Sequence, residues 1–363
     1  MTSQTLGWVR QNLLTPVAYR LSSIQRPNDS AFSVAQSLKS PRQILIAADS
    51  HPGAIFLAAS QIWAIRNHYP DAQICLLARE DRAFIAREIP FVNSVVLYED
   101  FLLPIGSKFR ETRRQLQELE FDLAFCFSSE TSFCAAYLCY KSGAQIRVGF
   151  QRDNFPFFNI RIVPKPDETY EEQRLSLLLR TLGIPQVKER VSWSVSKESS
   201  ERILNRLLVG IEPGENFIAL DLSHTEGPRP SGRNFQEISE CVLRNDPKAR
   251  LLVFFDFIQR KTAHQIKEAL GPRVLLFETD DLPKIVALLS ACQYLIACNS
   301  DLFHLGSAMG ISLKGFFGTG DLGRWISPNH PNIEIFSPEA ARNWSPDQMQ
   351  QTLQMTPKPP SRQ

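Results

Sequence analysis

The chain has 363 residues, 43% hydrophobic and 21% charged, with 40 basic against 38 acidic side chains and a formal net charge of +2. Length and composition suit a globular protein of about two domains. The charge balance speaks against a nucleic-acid partner, which would need a concentrated basic face, and leaves room for a basic pocket around one phosphorylated ligand. No run reaches the roughly 18 apolar residues of a membrane span.

The first 42 residues have a weakly amphipathic look without the continuous apolar core of a secretion signal. They read as an N-terminal extension: a surface helix, a packing arm or a segment that touches a membrane. Seven cysteines lie mostly inside apolar runs and none forms a CxxC pair, so they read as buried thiols in a reducing compartment. The expectation is a cytoplasmic protein, with peripheral contact at the inner face of the cytoplasmic membrane left open.

From residue 43 short apolar runs alternate with helical patterns. Strands are expected at 43–49, 73–79, 94–100, 121–127 and 146–150, with helices over 53–69, 106–119 and 131–142. Apolar strands spaced by helices mean a parallel sheet covered on both faces. "QRDNFPFFNIRIVPKPDE" (151–168) breaks the rhythm as a covering loop. A helix over 170–185 follows, stopped by Gly183 and Pro185. The alternation then restarts, with strands at 217–223, 250–256, 274–279, 294–298 and 312–318. A last helix, 345–355, carries a capping-box pair, Ser345 and Gln348. The fold class is α/β, two doubly wound Rossmann-like domains in series, 43–190 and 191–340, with 341–363 as a C-terminal helix and tail. A cleft between such domains is the default ligand site.

"NSDLFHLGSAMG" (299–310) carries the most chemistry. A strand hands over to a loop and then to a helix with His304 near its first turn. A helix N-terminus beyond a strand's carboxyl end is a natural phosphate seat. His304 and Ser300 can add side-chain donors, and the small residues let the helix lie close to the sheet. The competing reading is a capped helix whose His bonds a neighbouring carbonyl.

The longer stretch "CNSDLFHLGSAMGISLKGFFGTGDLGRW" resembles the signature of glycosyltransferase family 9, the lipopolysaccharide heptosyltransferases, close to N-D-(S/T)-G-x-x-H-L-A-A-A-L-G-x-P-x-x-x-L-F-G-x-T-x-x-x-R-W. His304, Leu305, Gly310, Phe317, Gly318, Arg324 and Trp325 match it in one ungapped register. "SGAQIRVGF" (142–150), "YEEQRLSLLLRTLGI" (170–184) and "IWAIRNHYPDAQICLLAR" (62–79) resemble further family segments. The likeness runs over about residues 43–355. It implies a GT-B fold, with an N-terminal acceptor domain and a nucleotide-sugar held mostly by the C-terminal domain. It also implies a last helix that crosses back to the first domain, and no metal or other cofactor; no metal-ligand cluster stands in the sequence.

The departures are as informative. The family's first strand leads to Gly-Asp, the Asp being the proposed base on the acceptor hydroxyl; here those positions are Gly53 and Ala54. Asp49 and His51 lie in the same loop and are the substitute bases, against a turn or cap role for Asp49 and a solvated loop role for His51. The family's Asp before Ser/Thr is Asn299, and its Gly is Asp301, a new carboxylate beside the proposed seat that can cap the helix or face water. In place of a loop Lys on the donor phosphates stand Ser223, Arg229 and Arg233, either phosphate ligands or part of a flexible basic loop. The resemblance thus implies inverting hexosyl or heptosyl transfer from a nucleotide-sugar, ADP-heptose by family, to a lipopolysaccharide or other envelope acceptor. Asn299, Ser300, His304, Ser223, Arg229 and Arg233 would hold the diphosphate, with Gly53, Arg324 and Trp325 completing the motif. The lost carboxylate and lysine favour a rival: a GT-B nucleotide- or glycan-binding or scaffold protein without catalysis.

Overall fold

The structure is a computed structural model. It describes residues 38–48, 51–101, 104–128, 132–152, 157–165, 170–186, 191, 193–210, 214–223, 229–318, 322–326 and 332–337. Most of the N-terminal extension, Asp49 and the helix expected at 345–355 lie outside these. The described residues divide into two compact units, one within Met1–Ser50 and Leu57–Glu189, the other within His51–Phe56 and Arg190–Gln363.

In the first unit the order is β1 (Gln43–Ala47), α1 (Ala54–His68), β2 (Gln73–Arg79), α2 (Ala83–Ala86), β3 (Ser94–Tyr98), α3 (Ser107–Glu118), β4 (Leu123–Cys126), α4 (Cys134–Lys141), β5 (Ile146–Phe150), β6 (Ile160–Ile162) and α5 (Glu171–Arg180). The strands pair in parallel in the order β3-β2-β1-β4-β5-β6. Their continuous apolar character follows from burial on both faces: Ile44, Leu45, Ile46 and Ala47 are all fully buried. α3 and α4 share one face of the sheet, over Leu45, Cys75, Ala124 and Cys126. The expected covering loop contains a strand. β6 is three residues long and pairs with Val148–Phe150, too short to show a period of its own.

The second unit runs α6 (Lys197–Leu207), β7 (Asn216–Asp221), α7 (Gly232–Asn245), β8 (Ala249–Phe255), α8 (Arg260–Leu270), β9 (Val274–Glu278), α9 (Leu282–Ser290), β10 (Cys292–Cys298), α10 (Asp301–Ala308), β11 (Ser312–Phe316), α11 (Leu322–Trp325) and β12 (Ile333–Phe336). The strands are again parallel, ordered β12-β11-β10-β7-β8-β9. Read from β9, this is the order of the first sheet. In both, the chain winds outward from the first strand, returns, and winds outward on the other side, as in a dinucleotide-binding sheet. β12 is a sixth strand that the sequence pattern did not announce; all four of its residues are half-buried.

In the second unit the winding reverses between β7 and β10, the place where such sheets bind ligands beyond their carboxyl ends. α10 starts there. Its residues Leu302, Phe303 and Leu305 are buried, and it lies so close to the sheet that a Cβ on Gly306 would stand 2.9 Å from Leu313 and 3.1 Å from Leu295.

Candidate functional site

Asp221 ends β7, and Asn299 and Ser300 directly follow β10. All three are buried. Ser300 caps α10: its Oγ accepts from the Phe303 N–H at 3.2 Å and donates to Asp221 Oδ2 at 2.5 Å. The other Asp221 oxygen accepts from the Ser223 N–H at 2.8 Å. Burial pushes the Asp221 carboxyl up, against the hydrogen bonds from Ser223 and Ser300. The pattern missed this residue; its one signal was a carboxylate at the end of the apolar run "FIALD".

His304 is buried within the first turn of α10. Its Nε2–H donates to Asn299 Oδ1 at 2.9 Å. The Asn299 amide then faces His51 Nε2 at 3.5 Å, and His51 Nδ1–H donates to the Pro52 carbonyl at 2.7 Å. Donors and acceptors alternate along this chain, so each imidazole has a defined tautomer. Burial, and then the charge of a protonated His51, pull the His304 pKa down to about 3. The ring is neutral at pH 7.

In this geometry Ser300, Asn299 and His304, expected to present side-chain donors to a diphosphate, each have a partner within the chain. The one Ser300 hydroxyl proton goes to Asp221. The one His304 ring proton goes to Asn299. The Asn299 amide lies between two imidazoles. The three side chains organise the start of α10, with Ser300 as its cap and His304 bonded to the side-chain oxygen of Asn299.

The segment His51–Phe56 belongs by its contacts to the second unit. Gly53 has φ +78°, and a Cβ there would stand 2.0 Å from His304 Cδ2, so the backbone lies directly on the imidazole. The Gly53 N–H donates to Asp301 Oδ1 at 2.7 Å, which gives Asp301 a specific partner in addition to its place in the first turn of α10. The His51 ring stacks on Trp325, centroids 3.5 Å apart and planes within 6°. The Arg324 guanidinium lies 5.1 Å from the centre of the Trp325 ring. Motif positions far apart in sequence, Gly53, Asn299, His304, Arg324 and Trp325, are thus one cluster around His51.

Arg229 and Arg233 part ways. Arg229 rests on Phe235, 5.4 Å from the ring centre, and donates to Gln259 Oε1 at 3.2 Å. Its charge reaches Cys298 at the end of β10, where it works against the burial that pushes that thiol up to about 12. Its bond to Gln259, just past the end of β8, makes it a cation at the carboxyl edge of the second sheet. Arg233 is not brought there. It lies on α7 with its side chain 88% exposed, paired with Glu237. Ser223 is held at the end of β7 by its backbone bond to Asp221.

Among the described residues no group of three or more His, Cys, Asp or Glu side chains is placed to hold a metal ion, and no helix is long and apolar enough to cross a membrane.

Two parallel α/β sheets of this order, in series, are the architecture of GT-B glycosyltransferases. The family model for glycosyltransferase family 9 (heptosyltransferase) matches residues 109–355, and the chain belongs to that family as a divergent member. Among solved structures, E. coli ADP-heptose lps heptosyltransferase II is similar with TM-score 0.68 and 18% identity, over 86% of this chain and 97% of that one. The family 9 glycosyl transferase from Veillonella parvula has TM-score 0.65 and 15% identity, over 82% and 86%. E. coli heptosyltransferase WaaC with ADP-2-deoxy-2-fluoro heptose has TM-score 0.64 and 15% identity, over 85% and 98%. At such identities these likenesses speak for the fold alone. A search of curated proteins gave no match.

Proposed function

We propose that the chain transfers a sugar, with inversion, from a nucleotide-sugar to a hydroxyl of lipopolysaccharide or another envelope glycan, with ADP-heptose the first donor to test. The proposal includes a cytoplasmic place of action with peripheral contact at the inner membrane face, and transfer without a metal or other cofactor. The observation that carries the donor part is Arg229, a guanidinium held beyond the carboxyl end of β8 by Phe235 and Gln259. In the proposed step the acceptor oxygen attacks the anomeric carbon and the bond from that carbon to the diphosphate oxygen breaks. The charge that grows on the diphosphate is met by Arg229 and the N-terminus of α10, stabilisation realised mainly in the transition state. The acceptor proton goes to His51 Nε2, whose contact with Asn299 is long enough, at 3.5 Å, for a hydroxyl to take its place.

One observation favours the rival reading of binding without transfer. Asp301 puts a carboxylate into the first turn of α10 and ties it to the Gly53 N–H. An arriving diphosphate meets a like charge worth about 1 kcal/mol in water and about 4 where solvent is partly excluded. Calorimetric titration with ADP, UDP, GDP and ADP-heptose tests both readings on the native chain, Arg229→Gln and Asp301→Gly. Under the transfer reading one nucleotide binds, Arg229→Gln weakens it at least about tenfold, Asp301→Gly tightens it by a similar factor, and ADP-heptose with an acceptor glycan releases ADP. Binding without release, over a panel of acceptors, selects the rival. No heat from a folded native chain or from Asp301→Gly ends the donor assignment.

A further inference from the structure

α3 and α4 lie side by side on one face of the first sheet, and two cations meet where α4 ends. Lys141 is the last residue of α4 and is only 9% exposed. Its ammonium stands 5.6 Å from the ring centre of Tyr137 and 5.3 Å from that of Tyr140. No carboxylate or hydrogen-bond acceptor faces it among the described residues. On α3, one turn before the residue that bonds the Lys141 carbonyl, Arg113 is half-buried, with a buried Nε that has no hydrogen-bond partner. Gln117, one turn further along α3, donates to the Lys141 carbonyl at 3.1 Å, which fixes α3 against the end of α4. A third guanidinium, Arg147, lies 5.5 Å from the centre of the Tyr140 ring and bonds to the main-chain carbonyls of Phe157 and Ala144. Burial first, and then the Arg113 charge, lower the pKa of Lys141.

Scarcity of acids does not explain the missing partners. Arg114, the neighbour of Arg113, pairs with both Glu111 and Glu118 on the same helix. Two like charges side by side, one of them nine-tenths buried, raise the free energy of the fold. The tyrosine faces offset only part of that. An anion between the two cations turns repulsion into attraction. A phosphate matches best: its two charges answer two cations, the guanidinium fork takes two oxygens and the ammonium a third. A carboxylate would neutralise one cation and leave the other.

We propose that Arg113 and Lys141 form a phosphate-binding site in the first unit, where α4 leads into the amino end of β5. It is independent of the donor site proposed above, since its residues belong to the other unit and the other end of the strands. Its phosphate comes either from a soluble compound or from the phosphomonoester headgroup of a lipid, and the test separates the two.

The full chain is titrated with inorganic phosphate against chloride at equal ionic strength. The readouts are the thermal midpoint and the side-chain NMR signals of Lys141. Phosphate is expected to raise the midpoint and shift those signals in the native chain, and to raise the midpoint of Arg229→Gln equally. Lys141→Met and Arg113→Gln are expected to bind at least about tenfold more weakly. Without phosphate, Lys141→Met is expected to be no less stable than the native chain, because it removes an unpaired buried charge. Flotation with phosphatidylcholine vesicles, plain or containing phosphatidic acid, assigns the source. Retention on phosphatidic acid that both variants lose points to lipid, and its absence points to a soluble phosphate. No phosphate response in the native chain, or an equal response in both variants, overturns the proposal. So does a Lys141→Met that is markedly less stable and still responds to phosphate, which would make the ammonium a packing element on two tyrosines.

Discussion

At the scale of single residues, His304 sets a pH dependence. Its folded-state pKa of about 3 lies below the ordinary value of 6.5, so the folded ring stays neutral while the unfolded one binds a proton. Its contribution to stability is complete above about pH 6.5 and is lost as pH falls toward 3, at up to about 1.4 kcal/mol per pH unit. Urea unfolding from pH 7 to pH 4 should therefore show a steeper loss for the native chain than for His304→Gln, and parallel curves would count against a buried neutral ring. Gly53→Ala is expected to cost about 2–4 kcal/mol in the same assay. It adds a left-handed backbone penalty to a methyl 2.0 Å from the imidazole. The sequence showed which residues matter here better than it showed what they do. His304, Arg324 and Trp325 stood out by spacing. That Asp301 holds Gly53 depends on a contact 248 positions apart, which no local pattern carries; the His304–Asn299 bond is only five positions long, but its direction is set by the packing around both side chains.

At the scale of elements, α10 is organised by a buried polar pair. Ser300 both caps the helix and donates to Asp221. Ser300→Ala removes the cap, worth about 1 kcal/mol, and leaves a buried carboxylate oxygen without its donor, worth about 1–3 more. A loss of about 2–4 kcal/mol is expected by chemical denaturation, and a loss below 1 would show that water replaces the hydroxyl. The long elements were legible because periodicity and stop signals agreed. α5 ends at Arg180 just before Gly183, whose φ is +73°. β6 and β12 were not, because edge strands of three and four residues are too short for an alternation to be read. The Arg113–Lys141 pair was hidden for another reason: a basic residue on each of two helices is ordinary, and only packing reveals that neither has a counter-ion among the described residues.

At the scale of the whole molecule, the same strand order occurs twice, and each sheet carries its own core. The exception to this independence is His51–Phe56, which belongs to the second unit although it lies between β1 and the body of α1. A fragment of residues 190–363 would lack the backbone that covers the His304 ring. By nitrogen NMR its imidazole is expected to titrate nearer 6.5 than 3, and an unchanged value would show that the rest of the unit suffices to bury it.

The same segment has a consequence in time. During synthesis Gly53 leaves the ribosome 248 residues ahead of Asp301, a delay of about 12–50 s at ordinary elongation rates. β1 to β6 can be paired well before then, while His51 and Gly53 wait for partners that have not been made. The last contacts of this cluster therefore form only after Trp325 has emerged. A nascent chain halted before that point would carry a finished first sheet and an unsatisfied loop, ready for chaperones to bind.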